Sequence, residues 1–261
     1  MKRKIIAFFT VINLFFVIQT AFSESKNIVY SENFVITSIE NLKINLTYEN
    51  LEISQIYGDE ITVEISSNNL KKIPSVTLSK NQLKIATKTK KYTIGDNCTV
   101  SVYIPQDFNA DFIQVSNVSG NILASELHTD NYISISNTSG RIDLTTCDCE
   151  YLELKSISGR IVAQKVSAEY FKADSSSGLI FLDLLKAPVA KSIAENVSGN
   201  IQLYLLENSH FDLEISSVSG SYLENKEIKK APVTDLYKLF GNGGACIQAK
   251  TVSGNIELFS F

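Results

Sequence analysis

The sequence predicts an all-β fold: a single-stranded β-helix, or β-solenoid, of about seven coils with a β-rich N-terminal cap. Three observations predict it. A Ser-Gly dipeptide recurs at nearly constant spacing through the C-terminal half. Apolar residues flank each copy in columns two positions apart, which is the period of a strand and not of a helix. The segment ahead of the first copy alternates apolar and polar residues, with turn signals between the runs.

The repeat glycines are Gly120, Gly140, Gly159, Gly178, Gly199, Gly220 and Gly254, at intervals of 20, 19, 19, 21, 21 and 34 residues, and each follows a serine. Two positions after glycine stand Ile122, Ile142, Ile161, Ile180, Ile201, Tyr222 and Ile256. Five before it stand Val115, Ile135, Leu154, Ala173, Ala194, Ile215 and Ala249. Each unit reads as two short strands joined at a Ser-Gly corner, where glycine serves a positive φ or a close backbone approach. One unit cannot bury its apolar face alone, but stacked units share a core. Stacking sets like side chains above one another about 4.8 Å apart. It predicts hydrogen-bonded ladders of Asn117, Asn137, Ser156 and Ser175, and charge pairs of Glu153 with Lys172 and of Lys155 with Asp174. Ile193 stands one place out of its column, which suggests a local shift in the fifth repeat.

Three regions follow. Residues 1–23 read as a signal peptide: Lys2, Arg3 and Lys4, then an apolar run from Ile5 to Ile18, then Ala21-Phe22-Ser23 at the cleavage point. The run is short for a membrane span, so no transmembrane segment is expected after cleavage. Residues 24–111 read as a β-rich section that caps the first coil, with alternation at Ile61–Ile65, Leu83–Ile85 and Val100–Pro105. Residues 112–261 hold the repeats, with a long loop near 225–247 where the spacing grows. A final strand from Gly254 to Phe261 is expected to leave an open edge, which makes a homo-oligomer through the solenoid end conceivable.

Composition excludes several functions. Cleavage leaves 21 basic against 28 acidic side chains, a net charge of −7, and such a surface repels nucleic acid. The two histidines, His128 and His210, cannot build a nucleophile–His–acid set. Gly241–Gly244 lacks the Lys-Ser/Thr of a phosphate loop. No cofactor and no metal site is expected. The cysteines Cys98, Cys147, Cys149 and Cys246 invite disulfides in an exported chain. Cys147 and Cys149 fall in packing columns and read as buried thiols. A Cys98–Cys246 bridge stays open, and Cys147-Asp148-Cys149 lacks further metal ligands.

The Ser-x-Ser-Gly-x-Ile pattern, with its lead-in Val102-Tyr103-Ile104-Pro105 and first repeat at Phe112–Ile122, resembles bacterial β-strand-repeat proteins labelled "putative adhesin", a domain family of unknown function. The resemblance covers most of the chain beyond residue 23. It implies a β-solenoid at the cell envelope and carries over no site residues.

The reading is an exported, non-enzymatic protein of the periplasm, outer envelope or cell surface that acts by contact with a protein or glycan, as an adhesin would. The alternatives are a carbohydrate-active β-helix enzyme and a periplasmic sensing or assembly module. An enzyme needs converging carboxylates, and the best cluster, Arg141, Asp143 and Arg160, reads as a solvated charged face. The candidate contact residues are Val162, Leu179 and Phe181, apolar at outward positions of adjacent coils, with Tyr237 and Phe240 on the long loop.

Overall fold

The computed structural model describes residues 27–89, 93 and 95–260. The expected signal peptide lies outside them. Among the described residues no helix is long and apolar enough to cross a membrane.

The strands run β1 (Ile28–Val35), β2 (Asn41–Asn45), β3 (Asn50–Ile56), β4 (Glu60–Ser67), β5 (Ser75–Ser79), β6 (Gln82–Ala86), β7 (Cys98–Pro105), β8 (Phe112–Asn117), β9 (Ile122–His128), β10 (Tyr132–Asn137) and β11 (Ile142–Ser156). They continue β12 (Ile161–Ser177), β13 (Ile180–Leu184), β14 (Ser192–Ser198), β15 (Ile201–Leu205), β16 (Phe211–Ser217), β17 (Tyr222–Glu224), β18 (Glu227–Lys230), β19 (Leu236–Phe240), β20 (Cys246–Ser253) and β21 (Ile256–Ser260).

They build two parallel ladders. One runs β6, β2, β8, β10, β11, β12, β14, β20, β16. The other runs β7, β3, β9, β11, β12, β13, β15, β21, β17. The long strands β11 and β12 pass from the second ladder to the first. They turn a corner at Thr146 and Lys165, which stack with Glu126 at φ of 59°, 55° and 56°. Antiparallel strands close the ends: β5 on β6, β4 on β7 with β1 beyond it, β19 on β16 and β18 on β17.

The isoleucine column runs through the core. Ile122, Ile142, Ile161, Ile180 and Ile201 have no exposed surface, and each is in register with the next. Burying one such side chain contributes about 1.5–3 kcal/mol. The same register sets Glu153 beside Lys172 and Lys155 beside Asp174.

The corner glycines resolve the two roles expected of them. Of the seven, only Gly178 has a positive φ, of 119°. Close approach requires the rest: a Cβ on Gly140, Gly159 or Gly199 would lie 2.2, 1.9 or 1.9 Å from the carbonyl oxygen of the preceding glycine. The Asn/Ser residues three places earlier do not bond one another as expected. They serve the corner backbone instead: Asn137 Nδ2 donates to Gly120 O at 2.7 Å, and Ser156 Oγ accepts from Gly159 N at 2.9 Å. A backbone N–H buried at a tight corner needs such a partner.

Four expectations are corrected. The fifth repeat is not shifted. Ser192 is fully buried in the Phe171 column, accepting from Phe171 N at 3.1 Å and donating to Ala190 O at 3.2 Å, so the column tolerates a serine. Ile193 faces outward between Lys172 and Gln248. The final strand is no edge, because β21 pairs on one side with β15 and on the other with β17. The chain therefore leaves the fifth repeat, forms the sixth beyond an empty layer, and returns to fill that layer with β20 and β21. The 225–247 segment is no plain loop, since it contributes the closing strands β18 and β19. Finally, 24–111 does more than cap. Its β2 and β3 lie between β6/β7 and β8/β9 and extend both ladders. Glu49 O takes the place of a corner glycine carbonyl there, 1.8 Å from where a Cβ on Gly120 would sit. The Glu49 carboxylate turns back to accept from Thr47 N and Tyr48 N at 3.0 Å each.

Candidate contact surface

The second ladder presents one outward column that is apolar for two layers: Asp143 pairs with Val162, and Val162 with Phe181. Both apolar side chains are half-buried, as is Leu179, whose carbonyl accepts from Ile161 N at 2.8 Å. The Phe181 ring packs 4.9 Å from Tyr204, tilted by 36°. Tyr204 in turn stacks on Phe259 at 4.3 Å and 12°. Val162 and Phe181 thus stand on adjacent layers, Leu179 lies two places before Phe181, and the column continues into an aromatic row that the sequence reading did not name. The strands of the 225–247 insertion pair with β16 and β17, at the end of the stack, and leave the Val162–Phe181 step to its own neighbours.

Tyr237 and Phe240 do not join them. Both lie on β19, the antiparallel strand that closes the first ladder on β16. Phe240 stacks on buried Phe211 at 4.6 Å and 6° and closes the core. Tyr237 is 56% exposed and donates to Asp212 Oδ2 at 2.6 Å, a bond that raises the phenol pKa.

A second aromatic column stands on the outer face of the first ladder. Tyr132, Tyr151 and Tyr170 stack at 5.2 and 4.5 Å. Their offset, eight before each glycine, is readable in the sequence and carries the signal that would have found them. Burial, then the hydrogen bond to Glu153, pushes the Tyr132 phenol up to about 12. Burial also acts to raise Glu153, but the bonds from Lys155 at 2.5 Å and Tyr132 at 2.6 Å hold its carboxyl below the usual range.

Arg141 pairs with Asp143, and Arg160 is exposed one layer on. All four cysteines are free thiols. Cys98 sits in β7 and Cys246 in β20, toward opposite ends of the stack, so the Cys98–Cys246 bridge is absent. Cys147 and Cys149 are buried with their sulfurs 3.9 Å apart. That contact, with burial, raises the Cys147 pKa. His128 lies 4.0 Å from Asp130 and 3.9 Å from Asp148 on an exposed face. Among the described residues, no three His, Cys, Asp or Glu side chains are placed to hold a metal ion.

Two parallel ladders closed at both ends by antiparallel strands, with aromatic rows on their outer faces, define a class of all-β repeat protein. Residues 39–192 match the family model described as Toastrack DUF4097, and the chain belongs to that family. No curated protein matches it. A "putative lipid binding protein" from Parabacteroides distasonis is 13% identical, with 89% of this chain and 96% of that one covered at a TM-score of 0.50, and shares the fold. A "putative adhesin" from Bacteroides fragilis is 13% identical over 89% of this chain and 96% of its own, at a TM-score of 0.48. A "putative cell adhesion protein" from Clostridium sporogenes is 12% identical over 89% and 99%, at 0.41.

Proposed function

We propose that the chain is an exported, non-enzymatic β-solenoid of the periplasm, outer envelope or cell surface that acts by contact, as an adhesin does. In this reading a single chain winds as a β-helix with seven glycine-marked coils, and two further layers come from 24–111. One observation carries the function: the outward step Val162–Phe181 and its continuation through Tyr204 and Phe259 put apolar and aromatic groups on adjacent layers, uncovered by the closing strands. Aromatic groups at a flat surface supply contact area at low entropic cost. The adhesin labels borne by similar structures agree with this reading. The partner is a protein or a glycan of the envelope or of a host surface.

The test compares the wild type with Phe181→Ser for binding to host-matrix proteins and to cell-envelope fractions. The substitution is expected to weaken binding about tenfold or more, since it removes an aromatic anchor. Equal binding by both, or none by either, removes this face from consideration. Fractionation with surface protease shaving tests the location.

A further inference from the structure

A furrow runs along the stack and ends against the closing strand β19, and the outward residues four and two places before each glycine form its walls. Three cavities mark it. The first, of about 330 Å³, includes Ser136, Lys155, Ile157 and Asp174. The second, also about 330 Å³, shares Asp174 and adds Glu195, Val197 and Val252. The third, of about 400 Å³, shares Ser216 and Lys250 with the second and ends at Tyr237. From β8 to β16 the furrow crosses seven layers, six steps of about 4.8 Å, or about 29 Å.

Its floor holds one group that the fold leaves unused. Asn117 Oδ1 accepts from Val118 N and Asn137 Oδ1 from Gly140 N, at 2.8 and 3.2 Å. Asn196 occupies the same column and is 4% exposed, yet its Oδ1 has no partner. Its amide donates to Gly178 O at 2.7 Å, and its side-chain carbonyl stays sealed beneath the second cavity, whose lining includes Asn196.

We propose that this furrow binds a neutral glycan chain laid along the stack, at a site separate from the Phe181 face. Four features select that ligand. The lining carries Lys155 and Lys250 against Asp174, Glu195, Glu214 and Asp235, a net negative charge that repels a polyanion. Each layer sets one hydroxyl or charged side chain four places before its glycine, from Ser116 to Lys250, as the hydroxyls of an extended sugar chain repeat. An extended peptide takes its affinity from backbone pairing at a sheet edge, but a chain along this axis crosses the strands, whose N–H and C=O groups are spent within the ladders. Ile157, Val197 and Val252, each about half exposed, give the apolar strip that the C–H face of a sugar needs, and the exposed Tyr237 ring gives a stacking face at one end. The Tyr132–Tyr151–Tyr170 column offers no such face, because its rings lie against one another.

The test is titration calorimetry with the hexasaccharides of β-1,4-linked glucose and of β-1,4-linked N-acetylglucosamine, and with the two monosaccharides. At least one hexasaccharide is expected to bind, with its monosaccharide about tenfold or more weaker. Val252→Arg, which fills the furrow from an exposed position, and Tyr237→Ala are each expected to weaken binding about tenfold. Phe181→Ser should leave it unchanged, so failure here and failure of the contact face are read separately. The inference is overturned by a folded wild type that binds neither hexasaccharide. It is also overturned by binding that survives both furrow variants, or by a furrow that instead takes an extended Gly/Ser-rich peptide with loss in Val252→Arg.

Discussion

Gly159→Ala tests the claim that glycine is needed for approach and not for φ. Gly159 has an ordinary φ, so alanine brings no backbone strain there. Its Cβ would lie 1.9 Å from Gly140 O and 2.9 Å from Gly140 C, 1.1 Å inside the 3.0 Å that real Cβ atoms respect. The neighbouring layer cannot yield locally. Ser158 N donates to Thr138 O at 2.9 Å and Ile142 N to Arg160 O at 3.0 Å, one bond on each side of the corner. Opening the corner by about 1 Å breaks both, at about 1 kcal/mol each, and overpacking adds about 1–3 kcal/mol. The expected loss is about 3–5 kcal/mol. Urea unfolding followed by far-UV circular dichroism measures it, and amide exchange shows whether protection falls first in β10 and β11, as it should where layers open locally. Ser158→Ala, at an exposed neighbour, is the control and should cost under about 1 kcal/mol. A Gly159→Ala midpoint equal to that of the control would refute the close-approach argument.

Three further outcomes follow from the same geometry. Ile193→Thr should change stability by less than about 0.5 kcal/mol because Ile193 faces out, whereas Ala194→Asp should cost several kcal/mol or prevent folding by burying a charge; the reverse order in urea titrations would restore a shifted register. Burial, then the Glu49 charge, pushes the Cys98 thiol from 9.0 up to about 11 against a small opposing bond from Ser67. The unfolded thiol ionises first, so stability is unaffected below about pH 9 and falls as pH rises from 9 to 11, by about 2–3 kcal/mol. Cys98→Ala should flatten that decline in unfolding measured at several pH values, and an unchanged slope would remove Cys98 as its source. Deleting residues 246–261 empties the layer between β14/β15 and β16/β17 and leaves the strands that carry Leu203 and Leu213 with unpaired edges. The expected product aggregates on gel filtration, and a monomer with β16 amides still protected would show that the returning layer contributes no stability.

Much of this architecture is legible locally. The columns around Gly120, Gly140, Gly159 and Gly178 name the buried isoleucines, the outward charges and the step from Val162 to Phe181, because within that stretch chain order and layer order coincide. The Tyr132 column was equally readable by its offset. The layers of β2/β3 and β6/β7 were not, since Glu49 replaces the corner glycine and no repeat spacing marks them.

The sequence by itself determined the strand period, the corner positions and the inward columns, all of which depend on residues a few places apart. Only the tertiary structure decided which layers touch. Tyr204 and Phe259 stack, and Val197 and Val252 share a cavity, although the whole sixth repeat lies between them in the chain. The physical reason is that parallel pairing is set by shape and by hydrogen bonds across space. Like columns are interchangeable in register, so the last repeat fits the slot beside the fifth as well as any open end, and there it buries two edges instead of one.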